Sequence, residues 1–166
     1  AAWRTQDVLA DGRWRVTLEP YEVQELCEAV AAARATSKPL EQLTAVDFPL
    51  PTLRGRIAIW REQLVVGRGF QVLRGVPVDR WSQRDAETFF WCLGQHLGIP
   101  GAQNPAGDLL GHVRDERETN DRRSVRAYRT NVDIAFHCDA ADVVGLLCLR
   151  GAKSGGASRL SSSVSV

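Results

Sequence analysis

The sequence predicts an α+β chain, and three observations predict it. Apolar residues recur at helical spacing through the first hundred positions. Beyond position 124, the alternating "VRAYRT" and the near-continuous apolar run "VVGLLCL" (143–149) read as strands. Between them, residues 99–124 are dense in glycine, proline and charge and show no period. At 166 residues and 44% hydrophobic, the chain is long enough to bury one core. A single domain over 1–166 is therefore expected, with helices and strands at 1–98, a loop or lid at 99–124 and strands at 125–166.

"WRVTL" (14–18) opens as a strand, and Pro20 suits the first turn of a helix. Val23, Leu26, Cys27 and Val30 follow as one apolar stripe. That helix fades into "ATSKPLEQLTAVDFPLP", which reads as a polar, proline-punctuated connection. A second helix carries Leu53, Ile57, Trp60 and Leu64, and Gly67 and Gly69 end it. "FQVLRGVPV" (70–78) reads as a short buried strand. The third helix is the best punctuated. Ser82 and Asp85 form an S-x-x-D start, Ala86, Phe89, Phe90, Leu93 and Leu97 make the stripe, and Gly98 and Pro100 stop it. His96 lies beside that stripe and reads as structural. In "RDERETNDRR" (114–123) four arginines mix with four acids, which fits either a solvated loop or a substrate lid. On the lid reading, Gln103 and His112 are the polar residues of interest.

Charge and composition exclude several function classes. With 21 Lys and Arg against 20 Asp and Glu, the net charge of +1 argues against a general nucleic-acid binder. No apolar stretch approaches the roughly 20 residues that span a bilayer, so no membrane role is expected. The first residues, "AAWRTQDVLADGR", carry no signal-peptide pattern. Cys27, Cys92, Cys138 and Cys148 form no C-x-x-C pair and read as buried free thiols of a cytoplasmic protein. The chain contains no methionine, so trimming at its start is expected.

Chemistry concentrates at "FHCDAADVV". His137 and Asp139 stand two positions apart, a spacing that three histidines and 20 acids would produce by ordinary coincidence. If residues 136–139 are extended, however, His137 and Asp139 point to one side and Cys138 to the other. An imidazole nitrogen and a carboxylate oxygen then converge, and one further histidine would complete the 2-His-1-carboxylate triad of non-haem Fe(II). A zinc site through Cys138 would reverse the strand face, and no H-E-x-x-H pattern accompanies it. Asn131 and Asp133 share His137's parity and are either substrate contacts or solvent-facing strand-end residues. "SGGASR" by itself reads as a strand-connecting turn in which Gly155 and Gly156 tolerate positive φ. The serine-rich end reads as an alternating strand with Leu160, Val164 and Val166 as its apolar members.

Three stretches together carry a family resemblance: "GRGFQVLRGVPVDRWSQRDAETFFWCLGQHLG", "QNPAGDLLGHVRD" and "YRTNVDIAFHCDAADVVGLLCLRGAKSGGASRLSSS". Over about residues 67–163 the chain resembles the taurine dioxygenase-like (TauD/TfdA, clavaminate synthase-like) family, and 136–163 is the most specific part. The resemblance implies a double-stranded β-helix, or jelly roll, with helical elaboration from the N-terminal part and only part of the barrel in this chain. It implies Fe(II) and 2-oxoglutarate as cofactors, O₂ as cosubstrate and hydroxylation or desaturation of a small molecule, with succinate and CO₂ as coproducts. The family's H-x-D matches His137 and Asp139, and Ser158 after Gly155 and Gly156 matches the hydroxyl that meets the 2-oxoglutarate carboxylate. Halogenating relatives have a small residue where Asp139 stands, so halogenation is not expected. The family's distal histidine and its 2-oxoglutarate-binding arginine lie downstream, so an incomplete chain with two of three ligands is expected. A cupin-like jelly-roll binding domain without redox chemistry, or a degenerate relative lacking a complete metal triad, is the alternative.

Overall fold

The computed structural model describes residues 2–104, 106–113 and 135–165. Its elements run α1 (Thr5–Ala10), a 3₁₀ turn (Gly12–Trp14), β1 (Arg15–Thr17), α2 (Pro20–Ala35), a second 3₁₀ turn (Leu40–Gln42), α3 (Arg54–Val65), β2 (Val72–Arg74) and α4 (Gln83–Leu97). The chain divides into two compact units, Ala1–Ile99 with Gly145–Val166, and Pro100–Val144.

In the first unit the helices form where capping and periodicity put them. Pro20 occupies the first turn of α2, where its missing N–H costs nothing, and the Glu22 carboxylate returns to the Glu19 N–H at 2.8 Å. At α4 the Asp85 N–H donates to the Ser82 hydroxyl at 3.2 Å, while the Ser82 N–H donates to Asp85 Oδ2 at 3.1 Å. This reciprocal pair satisfies two amides that the helix itself leaves unpaired. Asp85 also accepts from Arg34 of α2 at 2.5 Å. The Ser82 hydroxyl and the Arg34 charge together hold its carboxyl below the ordinary range.

β1 and β2 pair in parallel, with Val16 opposite Leu73. Parallel partners require a crossover, which α2 and α3 supply between them. Each strand is three residues long, with only its middle residue half-buried. The stretch 70–78 is therefore not the fully buried strand that its composition suggests. A two-stranded ribbon has one neighbour per strand and cannot enclose its members on both faces.

The core is built by three helices and one irregular segment. Leu26, Ala29, Val30 and Ala33 come from α2, Ile57 and Trp60 from α3, and Ala86, Phe89, Trp91 and Cys92 from α4. The inward stripe of α2 is rotated from the expected one, since Val23 and Cys27 are only half-buried. Alanines 29 and 33 take the contact positions because small side chains allow close helix approach. Glu22 is wholly buried in that stripe, and it is tolerable there because it pairs with Arg56 of α3 and accepts the Glu19 N–H.

Residues 36–53 correct the sequence reading most. The part expected as a polar connection, up to Pro51, buries Leu43, Phe48 and Leu50 to 4% exposure or less, and Leu53, expected on the helical face, is buried after it. Their backbone carbonyls are claimed by α4: Trp91 Nε1–H donates to Leu43 O at 3.0 Å and His96 Nε2–H to Phe48 O at 2.9 Å. Asp47 folds the segment further by accepting from Lys38 at 2.6 Å, and that ammonium holds its carboxyl below the usual range. From α2, Glu25 reaches across to accept the Thr52 N–H at 2.7 Å and the Leu53 N–H at 2.8 Å. It thereby caps the entry to α3 from a neighbouring helix. Glu25→Ala is expected to cost about 1–2 kcal/mol, the scale of a lost helix cap. Urea denaturation checks this, and a change below a few tenths of a kcal/mol would mean that water replaces the carboxylate.

Residues 143–149 and 158–165, expected as strands, are irregular. Val143, Val144, Leu146 and Leu149 are exposed, and Leu160 and Val164 likewise. A strand needs a neighbour for its backbone N–H and C=O groups. Among the described residues β1 and β2 make the one sheet, and neither run joins it. The expected jelly roll is accordingly not formed among the described residues. The segment 125–130, also expected as a strand, lies outside them. Gly145 rests on α4: a Cβ there would stand 3.2 Å from the Phe90 ring.

Candidate metal site

In the second unit, the chain around 135–139 makes a bend at Phe136 and continues without regular structure. His137 Nδ1–H donates to the Ala135 carbonyl at 2.9 Å. With that nitrogen protonated, the neutral ring carries its lone pair on Nε2. Nε2 lies 3.8 Å from Asp139 Oδ1, and both side chains are about half exposed. His137 and Asp139 thus lie side by side with Nε2 and Oδ1 the facing atoms, in irregular chain rather than in the extended strand expected.

That pair suits a divalent ion. Donors bound at about 2.1 Å and at right angles to each other are about 3 Å apart. The observed 3.8 Å is wider by an amount that rotation of two exposed side chains closes. The imidazole and carboxylate donors are the set that Fe(II) accepts in facial triads. The Ala135 carbonyl behind Nδ1 is the outer support that metal-ligating histidines ordinarily have. Sequence reasoning missed it, because a backbone acceptor two residues upstream leaves no mark on side-chain identity. Among the described residues, no cluster of three or more His, Cys, Asp or Glu is placed to hold an ion.

The remaining candidates are placed as follows. Cys138, between His137 and Asp139 in sequence, is exposed and Cys148 is exposed too, so the expectation of four buried thiols is corrected. Only Cys92 is fully buried. Desolvation, with Asp47 adding its charge, pushes its thiol up to about 12, which keeps it protonated and unreactive. His96 is structural, its Nε2–H spent on Phe48 O. Asn131 and Asp133 lie outside the described residues.

Gln103 and His112 belong to the second unit. There a tight loop forms: the Asn104 side-chain oxygen accepts the Ala106 and Asp108 N–H groups, and its amide donates to Asp108 at 2.6 Å.

Ser158, in the first unit, is exposed and follows the glycine pair. Gly155 and Gly156 both sit at φ +70°, the left-handed region that glycine enters without a Cβ clash. At Gly156 a Cβ would also meet Ala152 at 3.2 Å. The turn therefore needs both glycines, as the sequence suggests.

Comparison with known proteins adds to this geometry. The family model described as "Taurine catabolism dioxygenase TauD, TfdA family" matches residues 36–166. The chain is similar to FR-33289 synthase of Streptomyces rubellomurinus, with 29% identity over 167 residues, covering 100% of this chain and 49% of that protein. It is also similar to taurine hydroxylase-like protein SAT17 of Stachybotrys chartarum, with 27% identity over 170 residues, covering 98% of this chain and 44% of that protein. The chain spans about half the length of these curated relatives. Among the described residues no helix is long and apolar enough to cross a membrane.

Proposed function

Since this chain belongs to the taurine catabolism dioxygenase TauD/TfdA family, we propose that it contributes the H-x-D half of an Fe(II)- and 2-oxoglutarate-dependent dioxygenase that hydroxylates or desaturates a small molecule. The observation that carries the reading is the His137–Asp139 pair, with Nε2 and Oδ1 facing each other and Nδ1 spent on a backbone carbonyl. His137 and Asp139 would hold the iron. When bound, iron and 2-oxoglutarate supply the activation of O₂, giving succinate and CO₂ alongside the oxidised product.

The chain's own residues position and discriminate. The Ala135 carbonyl keeps the His137 ring in the tautomer that offers Nε2. Asp139, a carboxylate rather than a small residue, would hold the iron where a halide would otherwise bind, which favours hydroxylation or desaturation. Ser158 would donate its hydroxyl to a 2-oxoglutarate carboxylate from a turn fixed by two left-handed glycines. Asn131 and Asp133 remain the candidates for substrate contact, and the family's description and the name of the Stachybotrys relative motivate a first panel of small molecules that includes taurine.

The test is succinate release by the natural-length protein, supplied with Fe(II), 2-oxoglutarate, O₂ and that panel. Succinate dependent on all three cosubstrates supports the reading. No iron-dependent succinate with any compound, from protein that is folded and binds Fe(II), would sink it. A second outcome isolates Ser158. One charge-assisted hydrogen bond is worth about 1.5–3 kcal/mol, so Ser158→Ala should raise the KM for 2-oxoglutarate roughly ten- to hundredfold. An unchanged KM would leave Ser158 as a turn residue.

A further inference from the structure

We draw no further inference here: the strongest candidate, the open groove along α3 lined by Arg54, Ile57, Ala58, Arg61, Val65 and His96, is a partly apolar helix face for which nothing in the structure shows what covers it.

Discussion

Replacing His137 or Asp139 by alanine should weaken Fe(II) binding on the order of 100-fold or more, whereas Cys138→Ser should leave it within about threefold. The expectation rests on which atoms face each other. His137 Nε2 and Asp139 Oδ1 are 3.8 Å apart, and a modest rotation of two half-exposed side chains brings both onto one ion. Neither residue substitutes for the other, because a lone imidazole or a lone carboxylate in water holds iron weakly. Cys138 sits between them in sequence, and in an extended chain alternation would turn its sulfur to the other side. Anaerobic Fe(II) titration of the three variants distinguishes the possibilities. Equal losses in all three would show that the sulfur is a ligand and that the alternation argument fails. Asp139→Gly carries the same logic into turnover: hydroxylation should vanish, and chloride should gain access to the vacated coordination position. Full hydroxylase activity in that variant would remove Asp139 from the ligand set.

What the sequence revealed of this fold divides along a physical line. The bounds of α4 were legible because their information is local, although Phe90, Leu93 and Leu97 of the expected stripe are half-buried and Thr88, Trp91 and Cys92 are buried instead. Ser82 and Asp85 satisfy each other's amides, and Gly98 stops the helix within one turn of its last apolar residue. α3 was legible for a related reason, since Leu53, Ile57 and Trp60 lie on one face at helical spacing and are all buried. The α2 stripe was misplaced because alanine carries too little apolar area to stand out, and because a buried Glu22 is invisible until Arg56 comes beside it. α1 was not anticipated at all. Its six residues bury no side chain; the Asp7 carboxylate accepts the Arg4 N–H at its start, and Trp14 Nε1–H donates back to Val8 O, while Trp3 and Trp14 on either side of it pack against the ring of Phe70. Strand readings fared worst, since a strand exists only through its partner. "WRVTL" and "FQVLRGVPV" found each other, whereas "VVGLLCL" has no partner among the described residues.

The candidate site shows the same division. Gly155 with Gly156 announces a turn that only glycine enters freely, whereas the proximity of His137 and Asp139, expected from an extended strand, occurs in irregular chain. The tautomer of His137 does not follow from sequence, because the group that sets it is the peptide oxygen of Ala135.

The sharpest consequence for stability concerns the segment that composition hid. Phe48→Ala should destabilise the protein by about 3–5 kcal/mol, the range for deleting a fully enclosed aromatic ring. Three terms add at this position. The ring is 0% exposed, so its whole apolar surface returns to water in the unfolded state. The cavity left behind adds its own cost, because surrounding structure relaxes only partially. Phe48 also packs near the His96 ring, at 6.3 Å between centroids, and its carbonyl accepts the His96 Nε2–H at 2.9 Å. Loosening the segment therefore threatens a hydrogen bond that links it to α4. For a chain of this length, each kcal/mol corresponds to roughly 2–4 °C, so the midpoint should fall by about 6–20 °C. Val46→Ala supplies the control: Val46 lies two residues away and is 87% exposed, so its change should stay within about 0.5 kcal/mol. Thermal and urea unfolding of both variants reads the difference directly. If Phe48→Ala fell within 1 kcal/mol of Val46→Ala, residues 36–53 would be the surface connection their prolines and polar residues suggest, and the helical layer would have to be stable without them.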